Sequence, residues 1–132
     1  MTATDIVLPV LGGPRVLIAE GDADASVSLT AMLRLKGFDA HEARSAAAAL
    51  ATVAKTRPHV LILDLDLPDR DGCDLIRQVR HLPHPPAVVV VTGHTQDGLR
   101  KAAKAAGAAA YLLKPAEPDD LAGLVWRLSV GD

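Results

Sequence analysis

At 132 residues and 49% apolar content, the chain has one domain's length and enough apolar material for one core. Charged residues at 23% and a net charge of −2 exclude a disordered chain and leave no broad basic field for nucleic acid. A lone cysteine, Cys73, excludes a disulfide framework and fits a reducing cytoplasm, while no apolar run approaches the ~18 residues of a membrane span.

Residues 1–14 read as a flexible N-terminal arm. Their apolar stretch is short, is broken by Pro9, carries Asp5 and lacks a basic leader, which argues against a signal peptide. The folded domain is expected over 15–130. Its first apolar run, 16–19, ends in Glu20, and a helical pattern over 24–36 is closed by Gly37, a suitable left-handed residue after a helix. Residues 38–42 form a weaker, edge-strand segment. The alanine-rich stretch 45–56 opens on Ser45, a good N-cap. The second strong run, 60–63, ends in Asp64. A helix over 73–82 stops at Pro83, Pro85 and Pro86. The third run, 87–91, ends in Thr92, and a helix over 96–106 is closed by Gly107. The fourth run, 109–113, ends in Lys114. A last helix over 117–128 has Pro118 in its first turn and Asp119 and Asp120 near the positive end of its dipole. Continuous apolar runs alternating with helices imply a (βα)5 chain folded as a doubly wound five-stranded parallel sheet of the α/β class.

Four strands thus end in Glu20, Asp64, Thr92 and Lys114. In open α/β sheets ligands bind outside the carboxyl ends of the strands. Two carboxylates, a hydroxyl and an ammonium at that edge suit phosphoryl transfer to a carboxylate. Asp64 would be the nucleophile, Mg²⁺ held by oxygens would offset the charge, and Lys114 and Thr92 would hold phosphoryl oxygens.

The segment Asp64-Leu65-Asp66-Leu67-Pro68-Asp69-Arg70-Asp71-Gly72 resembles the phosphoacceptor loop of response-regulator receiver domains, of the chemotaxis-regulator kind. Val90-Val91-Thr92-Gly93 resembles their switch-threonine segment, and Tyr111-Leu112-Leu113-Lys114-Pro115 their aromatic and lysine–proline segment. The resemblance spans about Arg15 to Leu128. It implies the flavodoxin-like strand order 2-1-3-4-5 and a role in two-component signal transduction. It implies phosphorylation at Asp64, phosphoryl binding by Thr92 and Lys114, and a Tyr111 side chain that follows Thr92. It also implies a cis Lys114–Pro115 peptide, a metal-ligating backbone carbonyl at Asp66, and tuning of dephosphorylation by Asp66 and His94. The implied partners are a histidine kinase or histidine phosphotransfer protein and a downstream protein target.

One position departs from the family. Receivers end their first strand in two consecutive acids, and here Glu20 is followed by Gly21. The Mg²⁺ set is then Glu20, Asp64 and the Asp66 carbonyl, with Asp22 as an alternate ligand and a weaker site expected. The competing reading is a pseudo-receiver, a phosphorylation-independent interaction module. A third, a dehalogenase-like phosphatase using Asp64-Leu65-Asp66 with Asp119 and Asp120, is disfavoured because two βα units precede Asp64 and the acidic pair falls in a helix. No turnover of an external substrate is expected, only self-catalysed phosphoryl uptake and hydrolysis. No output domain is expected before Asp132.

Two surfaces stand out. Val27, Ala31 and Leu35 form a second stripe on the first helix, apart from Leu29, Met32 and Leu33. Trp126 lies off the Leu121, Leu124, Val125 and Leu128 stripe of the last helix. Both are candidate contact surfaces, the tryptophan for a homodimer or a target protein. His41, His59, His81 and His84 lack metal-site spacing and receive no role.

Overall fold

Each apolar run becomes a strand of one parallel sheet in the computed structural model, which describes residues 13–130. Most of the N-terminal arm, residues 1–12, lies outside the described residues. In chain order the elements are β1 (Arg15–Ala19), α1 (Ala23–Leu35), β2 (Asp39–Ala43), α2 (Ala46–Thr56), β3 (Val60–Leu63), α3 (Gly72–Arg80), β4 (Ala87–Thr92), α4 (Asp97–Ala106), β5 (Ala110–Leu113) and α5 (Pro118–Ser129). The sheet order is β2-β1-β3-β4-β5, all pairs parallel, as the resemblance implies.

The sheet has helices on both faces, and side-chain alternation explains why its central strands are apolar throughout. Leu17, Leu61, Leu63, Val88 and Val90 point into the core shared with Ala49, Val53, Leu75, Ile76 and Ala103 of α2, α3 and α4. Their neighbours Val16, Ile18, Val60, Ile62, Val89 and Val91 point into the core shared with Leu33 of α1 and Leu121 and Val125 of α5. Burying such a side chain contributes about 1.5–3 kcal/mol, so the central strands hold the layers together.

Capping residues set the helix ends. Asp22, Ser45 and Glu117 each accept a backbone N–H in the first turn of α1, α2 and α5. The helix expected over 73–82 starts and stops earlier. Asp71 caps it through Cys73 N, and Pro83 biases Leu82 away from helical backbone. Gly37 and Gly107 adopt φ of 97° and 127° as their helix-closing positions require. Arg57, with φ 49° and ψ 64°, closes α2 in the left-handed region where glycine was the natural expectation.

Candidate functional site

The carboxyl edge of the sheet brings residues far apart in sequence into one crevice. Asp64 N donates to Ala19 O (3.0 Å), which sets Asp64 beside Glu20 at the ends of β3 and β1. Lys114 N donates to Thr92 O (2.8 Å), which fixes the ends of β5 and β4. From there the Lys114 side chain reaches past β4, and Nζ donates to Asp64 Oδ2 (2.6 Å) and Glu20 Oε1 (2.7 Å).

Electrostatics explains this clamp. The side chains of Glu20 and Asp64 are 8% and 9% exposed, too buried to carry adjacent negative charges without compensation. Lys114 supplies it. Burial alone would lower its pKa, but the hydrogen bonds and charges of Asp64 and Glu20 outweigh burial and raise it above the ordinary lysine value. The remaining carboxylate oxygens take backbone donors: Asp66 N to Asp64 Oδ1 (3.1 Å) and Asp22 N to Glu20 Oε2 (3.1 Å).

Thr92 is fully buried, and its Oγ1 accepts from His94 N (3.3 Å). Tyr111 is buried too, its hydroxyl donates to His94 O (2.9 Å), and burial pushes its pKa up. The backbone of His94 therefore links the Thr92 hydroxyl to the Tyr111 hydroxyl. Arg100 of α4 lies over the Tyr111 ring, 5.1 Å from its centroid. His94 Nε2 also meets both carboxylate oxygens of Asp66 (2.8 and 2.9 Å), so the residues named for dephosphorylation tuning touch across the crevice mouth.

The donor set suits Mg²⁺ in kind. Two carboxylates and a carbonyl are hard oxygen ligands, and Mg²⁺ sites commonly use one or two protein carboxylates. Among the described residues no cluster of three or more acidic, histidine or cysteine side chains forms a metal site. Asp22 is committed elsewhere: its Oδ2 accepts Ala25 N (2.9 Å) as the α1 cap. Swinging it inward would uncap the helix at a cost of about 1 kcal/mol. A Cβ at Gly21 would stand 3.4 Å from both Asp66 O and Pro68 Cδ, in ordinary contact and facing the candidate ligand carbonyl.

Other expected residues lie apart from the crevice. Asp119 and Asp120 are exposed on the first turn of α5, and Asp119 pairs with Lys36. Val27, Ala31 and Leu35 are exposed along α1, and Leu35 is 89% exposed. Trp126 is 53% exposed and sets its ring edge-on against Phe38, 6.3 Å between centroids.

Two contributors escaped sequence reasoning. Asp69 accepts Ala46 N (2.7 Å) and Ala47 N (3.0 Å), tying the Asp64 loop to the start of α2. These donors hold its carboxyl below the ordinary value. Arg100 was the other. Neither carries a local signal, because each acts on a residue brought near only by the fold.

Comparison with known proteins agrees with this architecture. The family model for the response regulator receiver domain matches residues 16–125. Transcriptional regulatory protein PrrA of Mycobacterium leprae is 35% identical over 105 residues, covering 80% of this chain and 45% of the relative. Transcriptional regulatory protein PdtaR of Mycobacterium tuberculosis is 37% identical over 108 residues, covering 81% and 52%. The chain spans about half the length of the curated relatives it matches. The crystal structure of a CheY-like response regulator receiver domain protein from Methanospirillum hungatei superposes with a TM-score of 0.84 at 26% identity, covering 89% of this chain and 94% of that one. With the family model spanning both cores and every strand-end residue of the crevice, this chain belongs to the receiver domains of two-component response regulators.

Proposed function

We propose that the chain is a phosphorylation switch with Asp64 as acceptor. The observation that supports this most is the Lys114 clamp, which fixes two nearly buried carboxylates at one strand edge next to Thr92. An Asp64 carboxylate oxygen would attack phosphorus on a phosphohistidine donor. The phosphorus–nitrogen bond breaks, and the imidazole leaves with its electron pair and takes up a proton. Lys114 Nζ, released from Asp64 Oδ2, would donate to one phosphoryl oxygen and the Thr92 hydroxyl to another. Mg²⁺, held by Glu20, Asp64 and the Asp66 carbonyl, would offset the charge between carboxylate and phosphoryl group.

Movement of Thr92 would be felt at Tyr111 through the His94 backbone, and at α4 through Arg100. The altered surface of α4, β5 and α5 would then be read by a protein target. Self-association through Trp126 is one form such a contact could take. The donor would be a histidine kinase or histidine phosphotransfer protein, for which the exposed Val27, Ala31 and Leu35 stripe offers an apolar landing surface. Uptake and hydrolysis would both be self-catalysed, with no external product. A cytoplasmic setting fits the free Cys73. Among the described residues no helix is long and apolar enough to cross a membrane.

Gly21 favours a second reading, the pseudo-receiver that binds partners without phosphorylation. Incubation with a small-molecule phosphodonor over a range of Mg²⁺, read by intact mass, separates them. The switch gains one phosphoryl group, and Asp64→Asn does not. A mass unchanged at every Mg²⁺ concentration selects the pseudo-receiver.

A further inference from the structure

The opposite edge of the sheet, where the strands begin, carries a cleft of about 470 Å³ that is independent of the Asp64 crevice. That size falls within the ~300–1,000 Å³ of small-ligand sites. It opens between the start of β1, the end of α2 and the turns that precede β3 and β4. Arg15, Arg57, His59 and His84 line it with Pro58 and Pro85, and among the described residues no lining residue is acidic.

The Arg15 guanidinium is held in place by the backbone. Arg15 Nε donates to Thr56 O (3.0 Å) and Arg57 O (3.2 Å), and Nη2 donates to Arg57 O (2.8 Å). This binds the guanidinium to the end of α2 and leaves Nη1 without a hydrogen bond among the described residues. Arg57 sits in the left-handed region, φ 49°, where a non-glycine residue persists only when its surroundings hold it. Its N–H donates to Val53 O (3.0 Å) while its carbonyl serves Arg15. His59 Nδ1 accepts Arg15 N (3.0 Å). That bond requires a lone pair on Nδ1, so the neutral ring carries its proton on Nε2 and remains a donor. Among the described residues neither arginine forms an ion pair; the nearby Asp39, register partner of Arg15, is taken by His41.

We infer that this cleft binds a compact phosphate-class oxyanion, free or as the phosphate end of a nucleotide. Two guanidiniums and an imidazole N–H supply donors only, and planar guanidinium forks match phosphate oxygens. The rigid attachment of Arg15 lowers the ordering cost of binding.

The test is titration of the full ¹⁵N-labelled chain with inorganic pyrophosphate and, separately, with ADP, followed by amide shifts. Saturable shifts at residues 15, 57, 59 and 84, with either anion, are expected. Arg57→Gln, whose side chain is exposed, should weaken binding at least tenfold with the rest of the spectrum unchanged. Arg15→Lys keeps the charge but loses the fork and should weaken it as well. Shifts that never saturate, that gather only around residues 64, 92 and 114, or that persist in Arg57→Gln overturn the inference.

Discussion

Gly21 is the residue on which the proposed Mg²⁺ affinity turns. Its ideal Cβ contacts the Asp66 carbonyl without clash, and its φ is not in the left-handed region, so an aspartate there fits and faces the candidate metal ligands. Gly21→Asp should tighten Mg²⁺ binding about tenfold, ~1.4 kcal/mol, measured by calorimetric titration of both proteins. Equal affinities would mean the missing carboxylate has no consequence. Asp69 gives a prediction at the same scale. Its folded pKa lies below its unfolded value, so its contribution to stability is present above the unfolded pKa and is lost as pH falls through the folded one. Asp69→Asn should therefore lower denaturant resistance at pH 7, with the gap to the native chain narrowing in acid. A gap independent of pH would contradict this origin. Asp64, Thr92 and Lys114 were legible in sequence because each ends an apolar run. Asp66 and His94 were named together through the resemblance, but the direct contact of their side chains was not legible.

Among the elements, α3 shows how closely the loop after Asp64 is packed. A Cβ on Gly72 would lie 2.7 Å from Leu65 Cα and Cδ2 and 3.0 Å from Leu65 O, so only glycine lets the first turn of α3 approach the loop after Asp64. Gly72→Ala should cost about 1–3 kcal/mol through this overpacking, read as a lower urea midpoint. An unchanged midpoint would show that the loop yields freely. The same glycine was visible as part of a motif, but its reason was not, because Leu65 meets it only after the chain turns. Helix starts were legible to within a residue or so wherever a capping side chain announced them, as Ser45 did. The end of α2 at Thr56 was legible as well, but the left-handed backbone of Arg57 that closes it was not, because its residue type disfavours that conformation and Arg15 holds it there from β1.

Over the whole molecule, the apolar runs, their lengths and the intervening helices were enough to expect a doubly wound parallel sheet. Strand order came from the resemblance, and the pairing of β1 with both β2 and β3 bears it out. The same topology sends the Asp64 crevice and the Arg15 cleft to opposite edges of the sheet. It also leaves the α1 stripe on the outer surface, beyond what the core beneath it uses.

Reduction by borohydride after treatment with a phosphodonor and Mg²⁺ tests the central claim most directly, since an aspartyl phosphate is converted to homoserine at the modified position. The account predicts homoserine at position 64 and nowhere else. Homoserine at another carboxylate, or none at any Mg²⁺ concentration, would contradict it.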